Sequence, residues 1–176
     1  MQKVYKILIT GPESTGKSTL CKALAEKYDT QWIKEYAREY IDQVDRKYVY
    51  SDLKIIAQKQ SDFQEKAILL ANTFLFCDTG LEVLKIWSEN SFQKCDQWIL
   101  DNLSNQKFDL VLLTDIDTPW QFDEQREHPK PEQRSYFIDL YKKELTEIYG
   151  GYHLIQGNEE ERLEAAIKYI ETLIIK

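Results

Sequence analysis

Cysteine and histidine are scarce in this sequence. Three cysteines, Cys21, Cys77 and Cys95, and two histidines, His128 and His153, occur in 176 residues. The cysteines form no CxxC pair and their number is odd, and the two histidines lie far apart in the sequence. These shortages argue against a disulfide framework, a zinc site and a histidine-based metal centre. The sequence therefore predicts a protein of a reducing compartment.

Long apolar runs and an excess of positive charge are also missing. No stretch reaches the roughly 20 apolar residues of a transmembrane helix, and we expect no signal peptide before the first strand. Aspartate and glutamate number 30 against 23 lysines and arginines, a net charge of −7, which argues against a general binder of nucleic-acid backbones. We expect a cytoplasmic protein of one domain, residues 1–176, without membrane or nucleic-acid partners. The composition leaves its oligomeric state open.

Short apolar runs alternate with helical patterns along the chain. The five predicted strands are Lys3–Thr10, Thr30–Glu35, Thr73–Cys77, Phe108–Thr114 and Tyr152–Gln156. The predicted helices include Ser18–Tyr28, a long helix with Ser51 as its N-cap and an apolar face from Leu53 to Leu70, stretches around Leu81–Trp87 and Cys95–Leu103, and a last helix with Leu163, Ile167, Ile170 and Ile174. This alternation predicts an α/β fold, with a five-stranded parallel sheet and helices on both faces.

The segment GPESTGKS, residues 11–18, matches the phosphate-binding motif GxxxxGK[ST]. A predicted strand precedes it and a predicted helix follows it, which is the context that the motif requires. Lys17 is expected to bridge the β- and γ-phosphates of ATP, and the Ser18 hydroxyl to bind Mg²⁺. The residues predicted to bind the nucleotide here are Gly11, Glu13, Ser14, Thr15, Gly16, Lys17, Ser18 and Thr19. ATP and Mg²⁺ are therefore the expected cofactors of a P-loop NTPase fold.

Other residues separate the classes of P-loop protein. A GTPase would show a DxxG switch and an [NT]KxD motif, but the glycine of Asp78-Thr79-Gly80-Leu81 is misplaced and no [NT]KxD follows. A mechanical ATPase usually ends its Walker B strand with two acidic residues, whereas Thr79 follows Asp78, and the chain is short for an AAA-type motor. A small-molecule kinase remains as the predicted activity.

A kinase needs a carboxylate beside the acceptor hydroxyl and positive charge over the phosphates. Glu35, at the end of the second predicted strand, is placed to accept or orient the hydroxyl proton. Arg38, in the first turn of the next helix, is placed to contact the acceptor or the transferred phosphoryl group. Asp78 fits the Walker B carboxylate that holds Mg²⁺. The structural alternatives are a surface ion pair for Glu35 and Arg38 and a helix N-cap for Asp78.

A segment rich in proline and charge, Asp115–Gln133, predicts a mobile lid over the site. Arg126 and Arg134 flank its proline-containing part and are expected to reach phosphate oxygens, unless they are solvated surface arginines. Trp120 is the aromatic residue that we favour for stacking on a flat base. The residues predicted to bind the acceptor are Glu35, Tyr36, Arg38, Trp120 and Asp123.

Four segments are similar to those of one known family: GPESTGKSTL, EYAREY, Asp-Thr after TFLFC, and DIDTPWQFDEQRE. They resemble the ribosylnicotinamide kinase domain of NadR-type NAD-biosynthesis proteins, and the resemblance spans nearly the whole chain. It implies transfer of the ATP γ-phosphate to the 5′-hydroxyl of nicotinamide riboside, giving nicotinamide mononucleotide. It also implies a fold like that of nucleoside and nucleotide kinases, with strand order 2-3-1-4-5.

Two other functions stay open at this point. One is a kinase for another nucleoside or a small alcohol, because Lys34 stands where bifunctional members of the family tend to carry tryptophan. The other is an ATP-binding regulator with weak transfer activity, because Gly80 stands where the family pattern has a second aspartate.

Overall fold

The computed structural model describes residues 3–44 and 46–174, and its centre is a parallel sheet of five strands. The strands are β1 (Tyr5–Thr10), β2 (Gln31–Ile33), β3 (Phe74–Asp78), β4 (Leu110–Thr114) and β5 (His153–Ile155). Their order is β2-β3-β1-β4-β5, and every neighbouring pair is parallel. The predicted fold class and strand order are confirmed.

Seven helices lie within the described residues. They are α1 (Lys17–Lys27), α2 (Tyr36–Val44), α3 (Tyr50–Ala67), α4 (Leu81–Phe92), α5 (Gln97–Asn105), α6 (Pro131–Tyr149) and α7 (Glu159–Ile174). No helix in this part of the chain combines the length and apolarity needed to cross a membrane.

Alternate residues of the strands pack against different helices. Ile7 and Ile9 of β1 belong to the core shared with α1 and α7, whereas Leu8 belongs to the core shared with α4 and α6. Successive side chains of a strand point to opposite faces of a sheet, so a strand covered on both faces is apolar throughout. Helices α2, α3, α4 and α5 share a further apolar cluster that includes Leu53 and Ile99. In open α/β sheets of this kind, ligands bind at the carboxyl ends of the strands.

Helix α6 is the one element that the sequence patterns above do not include. Its signals are nevertheless present: Pro131 at its first turn, buried apolar residues such as Phe137 and Leu145 at helical spacing, and Gly150 with φ 77° after its end. Pro119, Pro129 and Pro131, which lie among charged residues, favoured a loop instead. As a result, the connection after β4 covers residues 115–130, which we call the β4–α6 segment, and Arg134 lies within the helix.

The start and the apolar face of α3 also differ from the prediction. Ser51 is not the N-cap, because the helix begins at Tyr50, two residues earlier than predicted, and Val49 occupies that position. The Asp52 carboxylate accepts a hydrogen bond from the Val49 N–H at 2.7 Å. A serine N-cap bonds instead to N–H groups further along the helix, so its side chain would not satisfy the N–H of the N-cap residue itself. Leu70 lies beyond the end of α3 and is 73% exposed, so the apolar face is shorter than predicted.

Candidate active site

The phosphate loop between β1 and α1 contains three residues with positive φ: Gly11 (144°), Ser14 (57°) and Gly16 (78°). A Cβ atom at Gly11 would lie 2.7 Å from the carbonyl oxygen of Thr114 and 2.7 Å from its hydroxyl. Glycine is therefore required where the loop passes the end of β4. Gly16 is the N-cap of α1, so the loop lies directly before a helix N-terminus, the arrangement that binds phosphate groups.

Two side chains of the loop bond to the loop itself. The Lys17 ammonium group donates to the carbonyl oxygens of Gly11 at 3.0 Å and Pro12 at 2.9 Å. The Thr15 hydroxyl donates to the Pro12 carbonyl at 2.8 Å and lies 2.7 Å from the Thr114 hydroxyl. The buried side chain of Thr15 therefore fastens the loop to β4, which leaves its backbone N–H as the group available to a phosphate.

Asp78 lies buried at the end of β3, next to Ser18 of α1. The Ser18 hydroxyl donates a hydrogen bond to Asp78 Oδ2, whereas Asp78 Oδ1 is buried without a partner among the described residues. Burial raises the pKa of Asp78, and the negative charge of Glu35 adds to this, while Lys17 opposes it. A bare carboxylate oxygen beside a hydroxyl is a set of oxygen ligands that fits Mg²⁺.

A complete cage for a metal ion is not formed by protein side chains in residues 3–44 and 46–174. These residues contain no group of three or more histidine, cysteine, aspartate or glutamate side chains that could hold one. Mg²⁺ commonly binds through one or two protein oxygens together with substrate phosphates and water. The pair Ser18 and Asp78 therefore suits a metal ion that arrives with a nucleotide.

Glu35 and Arg38 lie together on the other wall of the site. Strand β2 ends before Glu35, which occupies the short connection to α2 rather than the last strand position that the sequence predicts. Arg38 Nε lies 3.9 Å from Glu35 Oε2, and Arg38 Nη1 lies 2.8 Å from Asp123 Oδ2. The hydrogen bond from Arg38 lowers the pKa of Asp123. Asp123 thus holds Arg38 and ties the β4–α6 segment to α2.

The β4–α6 segment also contacts the phosphate loop. The Glu13 carboxylate accepts the backbone N–H groups of Glu127 at 3.1 Å and His128 at 3.2 Å. Burial alone would raise the pKa of Glu13, but the hydrogen bonds from these two residues outweigh it and lower the pKa. Arg126 Nη1 donates to the Ser14 hydroxyl at 3.3 Å. Residues more than a hundred positions apart are therefore joined at the phosphate loop.

Trp120 lies near the guanidinium groups of two arginines. The Arg126 and Arg134 Cζ atoms lie 5.8 Å and 5.9 Å from the centre of its ring, within the range of cation–π interactions. Arg134 Nη1 donates to the Thr118 carbonyl at 3.0 Å, and burial lowers the pKa of Arg134. The Nε atoms of both arginines are buried without a hydrogen-bond partner among the described residues. Both arginines therefore retain unused donors at the site.

These groups surround a cleft of about 400 Å³, a size typical of small-molecule sites. The predicted residues that line it are Gly11, Glu13, Lys17, Glu35, Arg38, Trp120, Arg126 and Arg134. The predicted residues that do not line it are Ser14, Thr15, Gly16, Ser18, Thr19, Tyr36, Asp78 and Asp123. The Tyr36 ring instead packs edge-on against Phe63, with ring centres 5.4 Å apart, so it lies in the helical layer and is not part of the cleft wall.

Several residues that line the cleft belong to no sequence motif. Trp87 Nε1 donates to the Tyr48 hydroxyl at 2.8 Å, which in turn donates to Glu127 at 3.0 Å. Arg46, Lys47 and Asn90 also line the cleft, and Phe137 and Tyr141 line it from α6. They come from separate segments that only the fold brings together. The helical spacing of Phe137 and Tyr141 is the one sequence signal that could have pointed to any of them.

Comparison with known proteins gives three findings. The family model described as "AAA domain" matches residues 6–162. The trifunctional NAD biosynthesis/regulator protein NadR of Escherichia coli (strain K12) is 29% identical over 150 residues, as is that of Salmonella typhimurium. The match covers 82% of this chain and 36% of each relative, so the chain spans about a third of their length. The resemblance to NadR-type proteins is confirmed.

Solved structures show the same fold. NadR in complex with NR superimposes with a TM-score of 0.79 at 18% identity, over 96% of this chain and 50% of that one. Deoxyadenosine kinase from M. mycoides superimposes with a TM-score of 0.67 at 16% identity, over 95% of this chain and 99% of that one. Thymidylate kinase from Ehrlichia chaffeensis reaches 0.62 at 16% identity over 96% and 98%. The predicted likeness to nucleoside and nucleotide kinases is confirmed for the fold.

Proposed function

The chain belongs to the AAA domain family, and from that premise we propose that it is an ATP-dependent kinase that phosphorylates a nucleoside hydroxyl. The observation that carries the proposal is that Lys17 of the phosphate loop and Glu35 line the same cleft. An alcohol bound in the cleft has the Lys17 ammonium group near the phosphates that it attacks and the Glu35 carboxylate near its own hydroxyl. Phosphoryl transfer to a hydroxyl needs both. The kinase folds among its structural neighbours support this activity rather than a mechanical one.

On the nucleotide side, the phosphate loop binds the triphosphate through its backbone N–H groups and the N-terminus of α1. Lys17 exchanges its carbonyl partners for phosphate oxygens. Arg126 and Arg134, which line the cleft, offset the negative charge that the phosphates carry. Ser18 and Asp78 would hold Mg²⁺, which would supply further positive charge at the phosphates.

On the acceptor side, Glu35 takes the proton of the hydroxyl group as its oxygen attacks phosphorus. Arg38 lies within ion-pair distance of Glu35, and its own position is fixed by Asp123. The β4–α6 segment acts as the lid, because it bonds both to the phosphate loop and to α2. A closed lid excludes the water that would otherwise compete with the acceptor.

Nicotinamide riboside is the acceptor that we propose. Its support is the similarity to NadR proteins in sequence and the superposition on NadR in complex with NR. Tyr48 and Trp87 give the cleft aromatic surfaces that suit a flat ring. A different nucleoside is the second candidate, because deoxyadenosine kinase matches this chain over 99% of its own length.

The test measures ADP release from ATP in the presence of Mg²⁺ and a panel of nucleosides. ADP release stimulated by nicotinamide riboside alone supports the first candidate, and stimulation by another nucleoside supports the second. Release that is indifferent to every acceptor contradicts the kinase and favours an ATP-binding regulator. The Lys17→Ala variant is the control, expected to slow transfer by a factor equivalent to about 3–4 kcal/mol while circular dichroism shows an intact fold.

A further inference from the structure

Helix α6 presents one face to the cleft. Arg134, Phe137 and Tyr141 are spaced three and four residues apart, and all three line the cleft. Arg134 bonds near the phosphate loop, with its Nη2 3.5 Å from the Ser14 carbonyl. Seven residues along a helix correspond to about 10 Å, so Tyr141 lies well away from the phosphate loop contact of Arg134.

The ring and the hydroxyl of Tyr141 have different surroundings. The ring belongs to the apolar core between the sheet and α6, and the residue is only 6% exposed. Its hydroxyl makes no hydrogen bond within the described residues, yet it is not among the polar atoms that are sealed off without a partner. The hydroxyl therefore opens on the cleft. A side chain so fixed by packing, with a free polar group at a site, is prearranged for a ligand.

Burial and the charges around Tyr141 keep its hydroxyl protonated. Burial raises the pKa of Tyr141 well above its usual value, and the charges of Glu82, Glu35, Glu13 and Asp78 add to this rise. The hydroxyl is therefore a protonated donor in a region of carboxylates. Glu35, the acceptor-side carboxylate of the proposed function, is one of these charges and lines the same cleft as Tyr141.

We propose that the Tyr141 hydroxyl donates a hydrogen bond to the acceptor hydroxyl of the nucleoside, opposite Glu35; this inference rests on the proposed function. An alcohol oxygen has two lone pairs and one proton. Glu35 takes the proton, one lone pair forms the new bond to phosphorus as the bond to ADP breaks, and Tyr141 bonds the other lone pair. Tyr141 thereby fixes the direction from which the oxygen attacks.

The test compares the Tyr141→Phe variant with the unchanged protein by calorimetric titration, with ADP and Mg²⁺ present. The two ligands are nicotinamide riboside and its 5′-deoxy analogue, or the corresponding pair for the nucleoside that most stimulates ADP release. The variant is expected to bind the intact nucleoside about tenfold more weakly, the effect of one good hydrogen bond. The analogue has no hydroxyl to bond, so both proteins are expected to bind it alike. Binding of ADP is expected to stay unchanged.

The matched control is Tyr136→Phe, which removes the hydroxyl of an exposed tyrosine on the same helix and is expected to alter neither affinity. Equal affinities of the Tyr141→Phe variant and the unchanged protein for the intact nucleoside would overturn the inference. An equal loss for both ligands would also overturn it, because the hydroxyl would then act elsewhere. If no nucleoside of the panel binds the unchanged protein, the proposed function fails first and the inference falls with it.

Discussion

At the scale of single residues, the hydrogen bonds of two buried aspartates distinguish a structural carboxylate from one that is available to a ligand. Asp52 accepts hydrogen bonds from Val49, from the Tyr40 hydroxyl and from both Nη atoms of Arg46. These bonds, that of Arg46 above all, outweigh burial and lower the pKa of Asp52. Asp78 has one bonded oxygen and one bare oxygen, and burial raises its pKa. The first carboxylate is satisfied by the protein, whereas the second needs a ligand from outside.

Replacement of these two aspartates by asparagine is expected to have opposite effects. Asp52→Asn should lower the free energy of unfolding at pH 7 by about 1.5–3 kcal/mol, because it removes charge-assisted hydrogen bonds. A lowered pKa stabilises the folded state above the unfolded value near 4 and loses this effect as the pH falls through the folded value. The difference between variant and unchanged protein should therefore shrink below about pH 4. Denaturant titrations from pH 3 to 8 measure it.

The Asp78→Asn variant is the comparison in the same titrations. It should leave the free energy of unfolding at pH 7 equal or higher, because it removes a poorly solvated charge. Added Mg²⁺ and ATP should stabilise the unchanged protein and not this variant. If Asp78→Asn lowers the free energy of unfolding as much as Asp52→Asn does, then Asp78 is a structural residue like Asp52 and the distinction between them is contradicted.

At the scale of elements, the phosphate loop depends on a backbone that only glycine adopts. Gly11 and Gly151 have almost the same φ, 144° and 147°. They differ in their surroundings, because a Cβ at Gly11 meets Thr114 at 2.7 Å, whereas a Cβ at Gly151 meets nothing within 4 Å. Backbone strain and steric contact can thus be measured separately in one protein.

Gly151→Ala is expected to cost about 1–3 kcal/mol from backbone strain alone. Gly11→Ala is expected to cost more than that, because the end of β4 must also move, and to abolish ATP binding. Denaturant unfolding measures the loss of stability in each variant, and a nucleotide titration measures ATP binding by the Gly11→Ala variant. Equal costs at the two positions would mean that the loop relaxes away from β4 and that the contact with Thr114 does not constrain it.

The elements also show which parts of the fold can be predicted from the sequence. The strands could be predicted because parallel strands buried on both faces are continuous apolar runs. The phosphate loop could be predicted because the GPESTGKS motif lies in one short stretch of sequence.

Helix α6 could not be predicted because its prolines resemble a loop signal. The N-cap prediction at Ser51 is wrong because the role of Asp52 depends on Arg46 and Tyr40, which other parts of the chain supply. The common cleft formed by Tyr48, Trp87 and Tyr141 could not be predicted, for a related reason. No short stretch of sequence brings them to one cleft, and only the strand order does.

At the scale of the whole molecule, the cleft is closed by contacts between distant parts of the chain. Glu13 binds the backbone of Glu127 and His128, and Asp123 binds Arg38. The first contact joins the β4–α6 segment to the phosphate loop, and the second joins it to α2. Such contacts at partly exposed side chains are weak individually. The segment therefore depends on ligands that bind both sides at once for firm closure.

We expect hydrogen exchange in residues 115–130 to slow when ATP and the acceptor nucleoside are both bound, and to slow less with either alone. Phosphate oxygens then add partners for Arg126 and Arg134, and the acceptor fills the space beneath the segment. Peptides from α5 (Gln97–Asn105), none of whose residues line the cleft, serve as the internal control. Glu13→Gln is expected to speed exchange at Glu127 and His128 before ligand is added, because it weakens the charged acceptor of their N–H groups. Exchange that is the same with and without both ligands would identify a fixed surface loop, and the two arginines would then have no role in phosphate binding.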